Sequence, residues 1–480
     1  MRDHHLNATL LAEALVLSPG REATHRKLAQ ALRQAVLDGR LPLGARLPSE
    51  RDLAAALRLS RTTVTAAYTT LRDEGFVVTR HGTRGTITLP RHATPVNTPL
   101  VAADRGGEMF DLAYAALSAP PVALRGAYEV ALQVLPAHLS SHGYAPTGLP
   151  ELRARIAARF AARGLPTTPE QIVVTFGAQH ALHLLLRALV APGDRVLVDQ
   201  PTYPHALDAL RGAGCRVVPV ALTDEGWDAE GVALAMRQIA PRLAYLIPDY
   251  HNPTGHLMPY TQRALVALAA ARTRTTLIVD ETLVELTLDG DKPPPLASVD
   301  DRANVVTIGS ASKVFWGGLR VGWIRASREV VDRVMTARAA VDLGVPLVEQ
   351  LATSILLENA EDVLTARRTV LRTQRDVVAA FLREQLPEWS FSLPRGGLSV
   401  WASLPAPVGS ALCARAEGYG VRLTSGARFG ADGLFERQLR LPFTLPEAEL
   451  REALKRLSLA YRTLPVEGRI ARNHTEFGIV

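Results

Sequence analysis

The spacing of hydrophobic residues divides the chain into two parts. Before about residue 90, apolar side chains recur every three or four positions, which predicts amphipathic helices. We predict one helix over 25–39, a second that begins after Ser49, and a third over 59–74 that Gly75 ends. Two short β-rich runs follow, separated by a glycine-containing turn. Three helices followed by a hairpin predict a winged helix-turn-helix.

From about Met109 the pattern changes, and short runs of apolar residues alternate with helical segments. This alternation predicts an α/β body with a mostly parallel sheet. The predicted strands occupy 171–175, 195–199, 243–247, 276–279 and 305–308. Residues 91–108 contain Pro, Thr, Asn, Ala and Gly without periodicity, which predicts a linker. The predicted domains are therefore 21–90 for the helix-turn-helix, 91–108 for the linker and 109–465 for the body.

Positive charge is concentrated in the first part of the chain. Between Arg21 and Pro90 there are twelve Lys and Arg residues against six Asp and Glu residues, so +6 of the net charge of +7 lies there. A small basic module attached to a nearly neutral body predicts double-stranded DNA as a partner. No stretch approaches the ~18 uninterrupted apolar residues of a membrane span. The two cysteines fit a reducing cytoplasm, so we expect a cytoplasmic protein with no membrane segment and no metal site.

One lysine stands out in the body. The chain has only four lysines among its 54 Lys and Arg residues, and one of them, Lys313, follows the predicted strand 305–308 after Gly309 and two serines. Arg320 lies seven positions further on. An amine beside small hydroxyl groups, with a guanidinium nearby, suits a lysine that forms a Schiff base with an anionic aldehyde. The alternative is a surface lysine after a strand.

Other polar residues follow the predicted strands, at the edge where α/β sheets bind ligands. After 171–175, residues 176–179 form a turn at a helix start, where free N–H groups favour an anion. Tyr203 follows 195–199, although an isolated aromatic residue is also compatible with core packing. Asn252, held before a proline, follows 243–247, and Asp280 follows 276–279. A carboxylate after a buried strand is costly without a cationic partner.

The N-terminal module resembles the DNA-binding domain of GntR-type bacterial repressors. The similarity rests on G-x-RLPSER-x-LA over 44–54, SRTTV over 60–64, and the pair His81 and Gly82. The resemblance implies that a set of side chains in the second and third helices and the hairpin contacts DNA: Arg51, Arg61, Thr62, Thr63, His81 and Gly82. Arg80 and Arg84 flank the hairpin tip and are expected to join this set. For Arg51, a simple ion pair with Glu50 on a solvated helix is the alternative.

The body resembles fold-type I pyridoxal-phosphate aminotransferases, in which a mostly parallel central sheet carries a smaller C-terminal α/β domain. By this resemblance Lys313 is the Schiff-base lysine, Asp280 keeps the pyridine nitrogen protonated, and Asn252 donates to the phenolic oxygen of the ring. Tyr203 stacks on the ring, and Arg440, in LRLPF over 439–443, binds a substrate carboxylate. Lys313 and Asp280 are the residues we expect to be catalytic if chemistry occurs.

The resemblance also implies a phosphate-binding cup. The residues that match it are Gly177, Ala178, Gln179, Ser310, Ser312 and Arg320. Tyr144, in GY-x-x-x-G over 143–148, matches a tyrosine that reaches the phosphate of the partner subunit, so a homodimer is expected. This chain departs from the pattern at Thr282 and Leu283, where a tyrosine is usual. That departure makes rapid turnover doubtful.

The combination of both domains resembles MocR-type transcriptional regulators. The resemblance implies a DNA-binding regulator in which the body senses pyridoxal 5′-phosphate, an amino compound, or both. The alternative is a working aminotransferase that carries an accessory DNA-binding module. Arg440 and the complete set of ring contacts keep that alternative open.

Overall fold

The structure is a computed structural model that describes residues 8–15, 24–37, 45–79, 85–88, 109–299, 302, 304–430 and 434–464. Its N-terminal elements are α1 (Ala8–Ala14), α2 (Thr24–Leu37), α3 (Glu50–Leu57), α4 (Arg61–Asp73), β1 (Val77–Val78) and β2 (Thr86–Ile87). The two strands pair antiparallel. The predicted helices and hairpin of a winged helix-turn-helix are therefore present.

Two serines start the helices of the helix-turn-helix, as their sequence positions predict. The Ser49 hydroxyl accepts a hydrogen bond from Asp52 N at the start of α3, and the Ser60 hydroxyl accepts from Thr63 N at the start of α4, each at 3.1 Å. Each bond satisfies one of the free N–H groups of a helix start. Gly75 ends α4, as predicted, because it adopts a φ of 79°, a left-handed conformation that does not continue the helix.

Helix α1 is an element that the sequence analysis did not assign. Leu11 in this helix and Leu15 just after it are buried, and they join the same core as Leu28 and Leu53. A helix of seven residues is too short for apolar spacing to distinguish it from other structure. Its place is decided by the hydrophobic surface that it covers.

The body is built on a sheet of eight strands in the order β4-β11-β10-β9-β8-β5-β6-β7. The strands are β4 (Ile172–Thr175), β5 (Arg195–Gln200), β6 (Arg216–Thr223), β7 (Gly226–Trp227), β8 (Leu243–Leu246), β9 (Thr276–Asp280), β10 (Val305–Ser310) and β11 (Gly322–Arg325). The neighbours from β10 across to β6 pair parallel, and β11 and β7 run against them. The central strands are buried on both faces, which explains their continuous apolar runs.

Helices cover both faces of this sheet. They are α5 (Pro121–Val134), α6 (Pro150–Ala162), α7 (Ala178–Leu189), α8 (Pro204–Gly212), α9 (Ala229–Ile239), α10 (Tyr260–Thr273), α11 (Arg328–Arg338) and α12 (Leu347–Glu358). Separate apolar cores lie against the sheet, one of them containing α7 and α11 and another containing α9 and α10. This layering is that of the predicted α/β class.

A smaller α/β unit completes the chain. Its antiparallel sheet has the order β12-β13-β16-β15, formed by β12 (Ser390–Phe391), β13 (Ser399–Ser403), β15 (Thr424–Ser425) and β16 (Gln438–Pro442). β3 (Phe110–Asp111) pairs with β14 (Val421–Arg422), and helices α13 (Ala360–Gln385), α14 (Gly409–Glu417) and α15 (Glu447–Arg462) complete the unit. Among the described residues, no helix has the length and apolar character needed to cross a membrane.

Candidate functional site

A cavity of ≈ 470 Å³ lies where the carboxyl ends of β5, β8, β9 and β10 meet the small α/β unit. Parallel strands end at the same edge of a sheet, so the residues that follow them converge there. Ten of the predicted site residues line this cavity: Ala178, Gln179, Tyr203, Asn252, Asp280, Ser310, Ser312, Lys313, Arg320 and, from β16, Arg440. The structure therefore brings together residues that are separated by more than 250 positions in the chain.

Lys313 lies in the loop after β10 and lines the cavity. Its Nζ donates a hydrogen bond to the carbonyl oxygen of Ala115 at 2.7 Å. Burial, reinforced by the positive charge of Arg440, lowers the pKa of the Lys313 amine to about 8. An amine with a lowered pKa is neutral, and hence nucleophilic, in a larger fraction of molecules near neutral pH.

Asp280 is the last residue of β9 and is buried. Burial raises the pKa of its carboxyl group, while hydrogen bonds from its neighbours oppose that shift. One oxygen accepts from Tyr245 Oη at 2.8 Å, and the other accepts from Thr282 N at 3.0 Å. A carboxylate with a raised pKa and fixed orientation is suited to hold a proton shared with a ring nitrogen.

Asn252 and Arg440 are far apart in the sequence but are in contact in the structure. Arg440 Nη1 donates to Asn252 Oδ1 at 3.3 Å, and Arg440 Nη2 donates to the carbonyl oxygen of Ala113. The Arg440 guanidinium also lies 5.0 Å from the ring centroid of Phe429. The Asn252 oxygen faces Arg440, and the amide nitrogen, the only donor of this side chain, is left to donate to a ligand. Burial lowers the pKa of Arg440 to about 10, which still leaves it charged at neutral pH.

Tyr203 caps the start of α8 and lines the cavity, where burial raises the pKa of its phenol to about 12. Thr282 and Leu283 also line the cavity, at the positions where the resemblance leads one to expect a tyrosine. Thr282 uses its backbone N–H to hold Asp280, and Leu283 belongs to the apolar core of the small unit. Neither residue type supplies the phenol that is usual there.

The predicted phosphate cup is assembled from three segments. Gly177 caps α7 with a φ of 84°, and Arg320 Nη2 donates to the carbonyl oxygen of Phe176 at 2.9 Å. An added Cβ on Gly177 would lie 3.1 Å from that guanidinium. The first N–H groups of α7 have no partner within the helix, which is a property that favours anions.

Ser310 and Ser312 complete the cup. Ser310 Oγ accepts from Ser312 N at 3.1 Å and is in contact with the carbonyl oxygen of Val321. The Ser312 hydroxyl is buried and has no hydrogen-bond partner among the described residues. A buried hydroxyl without a partner is costly, so a ligand oxygen at this point would satisfy it. A guanidinium, a free hydroxyl and a helix start together fit a phosphate group.

Tyr144 does not line the cavity, and neither does Gly177, which precedes the lining residue Ala178. Its side chain is 68% exposed, in the turn that Gly143 begins with a φ of 74°. Within its own chain Tyr144 is therefore separate from the cup. Its predicted contact with the phosphate of a partner subunit stays a prediction.

The predicted DNA-contacting residues are described only in part. Arg61, Thr62 and Thr63 occupy the first turn of α4, and all three are exposed or half-buried. The Arg61 guanidinium lies 3.7 Å from the Glu50 carboxylate, whereas Arg51 on α3 is exposed. Glu50 therefore pairs with Arg61, and the alternative of an Arg51–Glu50 ion pair is not observed. The predicted contacts at Arg80, His81, Gly82 and Arg84 lie outside the described residues.

Several residues of the cavity were missed by the sequence analysis. Tyr245, which does not line the cavity but donates to Asp280, was missed as well; its signal was a tyrosine in a buried strand, because a buried phenol needs a hydrogen-bond partner. The segment from Ala113 to Ala116 also lines the cavity and supplies carbonyl oxygens to Lys313 and Arg440. Tyr114 and His205 line it as well. The three alanines of that segment carry no sequence signal of a binding site.

Comparison with protein families gives two matches. Residues 121–457 match the family "aminotransferase class I and II", which is more than half of the chain. Residues 24–87 match the family "bacterial regulatory proteins, gntR family". Both predicted resemblances are thereby confirmed at the level of the domain.

Individual relatives include both regulators and enzymes. The HTH-type transcriptional regulator YjiR of Escherichia coli, itself uncharacterized, is 28% identical over 92% of this chain and 99% of its own length. The regulatory protein MocR of Rhizobium meliloti, which is named for rhizopine catabolism, is 30% identical over 64% of this chain and 66% of its own. The structure of the α-aminoadipate aminotransferase LysN from Thermus thermophilus, complexed with N-(5′-phosphopyridoxyl)-L-leucine, is 28% identical, with a TM-score of 0.69 over 74% of this chain and 92% of LysN.

Proposed function

We propose that this chain, which belongs to the family of class I and II aminotransferases and carries a gntR-family domain, is a transcriptional regulator. Its body is proposed to sense pyridoxal phosphate, a small amino compound, or both, and to change the affinity of the N-terminal domain for DNA. The observation that carries this proposal is the presence of both family matches in one chain. An enzyme of amino-acid metabolism has no need of a helix-turn-helix.

The family implies pyridoxal 5′-phosphate as the cofactor, and the residues of the cavity fit it. When bound, the cofactor supplies an aldehyde that reacts with amines and a ring that accepts electrons. We assign the amine to Lys313, the ring-nitrogen partner to Asp280 and the donor to the phenolic oxygen to Asn252. Tyr203 is proposed to cover the ring. The phosphate is assigned to the cup formed by Gly177, Ala178, Gln179, Ser310, Ser312 and Arg320.

The amino compound is proposed to bind beside the cofactor, with Arg440 holding a carboxylate. Arg440 is suited to this because it is buried, charged and fixed by bonds to Asn252 and Ala113. A carboxylate entering the cavity would gain a charge-assisted hydrogen bond without the cost of ordering the arginine. The regulator is proposed to act in the cytoplasm as a homodimer, with the domains divided at 21–90, 91–108 and 109–465.

The proposal is tested by fluorescence-anisotropy titration of the full chain with the DNA upstream of its own gene. We expect binding about a thousandfold or more tighter than to random DNA, and an affinity that changes when pyridoxal phosphate or an amine is added. Titrations at several salt concentrations separate phosphate contacts from base contacts. Lys313→Ala is the matched control, because it removes the amine while leaving the helix-turn-helix unchanged. Equal affinity for the upstream and random DNA would reject the regulator.

A working aminotransferase is the second candidate function. The observation that favours it is Arg440, because a sensor of the cofactor alone would not need a carboxylate-binding residue. The absence of a tyrosine at Thr282 and Leu283 argues against rapid turnover. Steady-state assays with a panel of amino and keto acids test this candidate. Turnover in the usual range of enzymes, ~1–10³ s⁻¹, together with no specific DNA binding, would establish it instead.

A further inference from the structure

The turn between β4 and α7 is held at both backbone polar groups of one residue, Phe176. Arg320 Nη2 donates to the Phe176 carbonyl oxygen at 2.9 Å, and the Phe176 N–H donates to Nδ1 of His180 at 3.1 Å. His180 lies in the first turn of α7, directly after Gln179 of the phosphate cup, but does not itself line the cavity. One residue of the turn thus connects the His180 imidazole to the arginine of the cup.

The second ring nitrogen of His180 faces a carboxylate. Nε2 lies 3.0 Å from Asp342 Oδ2, and the two side chains are only 15% and 16% exposed. Burial lowers the pKa of His180, although the Asp342 charge opposes this shift, so the ring is neutral at pH 7. Because Nδ1 accepts from Phe176, the proton of the neutral ring is on Nε2, toward Asp342. The imidazole is therefore held in one tautomer and one orientation.

Asp342 is itself fixed by its neighbours. Its Oδ1 accepts from Arg338 Nε and from Gly344 N, each at 2.8 Å. Arg338 is buried, and its Nη1 donates to the carbonyl oxygen of Val174 in β4 at 2.6 Å. Val174 precedes Phe176 by two positions. The turn is thus braced from two sides, by its own strand and by the segment that follows α11.

These contacts bear on the phosphate cup because Arg320 is anchored to the turn. A side chain at the third position of a helix often accepts or donates at the backbone just before the helix, which fixes the entry of the chain. Without His180, the Phe176 N–H would lose its acceptor, and the turn would be free to rotate. The carbonyl oxygen that holds Arg320 would move with it. Arg320 and the first N–H groups of α7 would then no longer converge on one point.

We propose that His180, held by Asp342, is a positioning residue of the phosphate cup. Its Nδ1 fixes the backbone of Phe176 and thereby orients Arg320 and the start of α7 toward one phosphate group. This inference rests on the proposed function, because it concerns how the assigned cup recognises the phosphate of pyridoxal phosphate. A ligand with the same ring and aldehyde but without the phosphate would gain nothing from His180.

The experiment titrates the cofactor-free full-length protein with pyridoxal 5′-phosphate and with pyridoxal, followed by absorbance. Pyridoxal offers the same aldehyde to Lys313 but has no phosphate, so the ratio of the two dissociation constants reports on the cup. We expect the wild type to bind pyridoxal phosphate about a hundredfold or more tighter than pyridoxal. His180→Ala should lower this ratio about tenfold by weakening the binding of pyridoxal phosphate, and should leave the affinity for pyridoxal within about twofold.

Three further variants control the test. His183→Ala is the matched control, because His183 is exposed on the same helix, and it should change neither affinity. His180→Asn places an oxygen near the position of Nδ1 and should restore most of the ratio, which a residue that only fills space would not require. His180→Leu removes the acceptor while filling the space, and it replaces His180→Ala if that variant does not fold.

The outcomes separate this inference from the proposed function. An unchanged ratio in the variants that lack the acceptor, or an equal loss of affinity for both ligands, would overturn the role of His180 and leave the cofactor site as assigned. Failure of both His180→Ala and His180→Leu to fold would also overturn it, because His180 would then serve the fold alone. If the wild type itself binds the two ligands equally, the assignment of the phosphate cup falls as well.

Discussion

At the scale of single residues, Lys313 shows how the surroundings of a side chain change its chemistry. A free lysine with a pKa of 10.5 is almost fully protonated at neutral pH. Burial beside Arg440 lowers the pKa to about 8, so about a tenth of the amines are neutral at pH 7, against fewer than about one in a thousand for the free lysine. Arg440, which we assign to a carboxylate, thus also activates the amine.

This shift predicts the pH dependence of cofactor capture. The rate at which the cofactor-free protein binds pyridoxal phosphate covalently should rise about tenfold per pH unit below pH 8 and level off above it, because only the neutral amine reacts. Stopped-flow absorbance measures this rate, and borohydride reduction should then fix the cofactor on Lys313. Lys313→Ala is the control and should show no covalent capture. A rate that still rises steeply well above pH 9 would show that the pKa of Lys313 is that of an ordinary lysine.

The same shift has a consequence for the stability of the cofactor-free protein. The folded-state pKa of about 8 lies below the unfolded value of 10.5. Between these values the unfolded chain binds the Lys313 proton and the folded chain does not, so the contribution of this group to stability rises with pH across that window. Below pH 8 the amine is protonated in both states, so the free energy of unfolding is reduced by the full cost of burying the charged amine.

At the scale of elements, the start of α7 depends on one glycine. Gly177 adopts a φ of 84°, and an added Cβ would approach the Arg320 guanidinium to 3.1 Å. Gly177→Ala should therefore strain the backbone and displace the arginine from the cup, at a cost of ~1–3 kcal/mol. We expect weaker binding of pyridoxal phosphate, measured by equilibrium dialysis.

Gly126→Ala provides the matched control for the glycine variant. Gly126 lies inside α5, and an added Cβ there would meet no atom within 4 Å. This change should stabilise the fold by roughly 0.5–1 kcal/mol, because glycine is unfavourable inside helices. Cofactor affinity should be unchanged. Equal cofactor affinity in Gly177→Ala and the wild type would contradict the assigned role of the α7 start.

Helix α4 supplies a second prediction at this scale. Arg61 is exposed in its first turn, and the nearby Glu50 carboxylate, which also accepts from the Thr65 hydroxyl at 2.8 Å, restricts its position. If Arg61 contacts a guanine, Arg61→Ala should weaken binding to the specific site by ~1–3 kcal/mol, with little effect on random DNA. Anisotropy titration with both DNAs measures the difference.

Arg72→Ala is the comparison for this variant. Arg72 lies at the opposite end of α4 and donates to Thr69. Removing it deletes the same charge from the same helix, so any loss of affinity should be similar for specific and random DNA. An Arg61→Ala variant that weakens both DNAs equally would assign Arg61 to the phosphate backbone instead of the bases.

At the scale of the whole molecule, exposed apolar side chains support the proposed dimer. Val122 is 80% exposed, Leu139 69% and Tyr144 68%. All three belong to the segment 121–144, which follows the linker and precedes α6. Large apolar side chains that are exposed in a short segment are typical of a surface that another chain covers. Tyr144, if it contacts the phosphate of a partner, would then lie in that interface.

Analytical ultracentrifugation should therefore find a dimer. Tyr144→Phe should weaken cofactor binding by ~1.5–3 kcal/mol, and the variant should remain a dimer. The phenol contributes one hydrogen bond to a charged group, whereas its ring keeps the apolar contact. Tyr260→Phe is the control, because Tyr260 is also exposed, at the start of α10. A stable monomer with full cofactor affinity would contradict both the dimer and the role of Tyr144.

The sequence by itself determined the local elements and the order of the main site residues. Ser49 and Ser60 predicted the starts of two helices, because a capping hydroxyl acts within three residues of its own position. The apolar runs predicted the central strands, because both faces of a parallel sheet are buried. Lys313 and Asp280 were found because each lies at or just beyond the carboxyl end of such a strand.

The tertiary structure alone decided which distant residues meet. Tyr245 contacts Asp280 because β8 and β9 are neighbours in the sheet, and Arg440 reaches Ala113 across 327 positions. The hydrogen bond from Thr202 N to the carbonyl oxygen of Phe429 depends on how the small unit packs on the large sheet. Sequence patterns record the environment of a residue along its own element, whereas a contact between elements depends on the topology that joins them. For that reason the residues of the site were largely predictable and their partners were not.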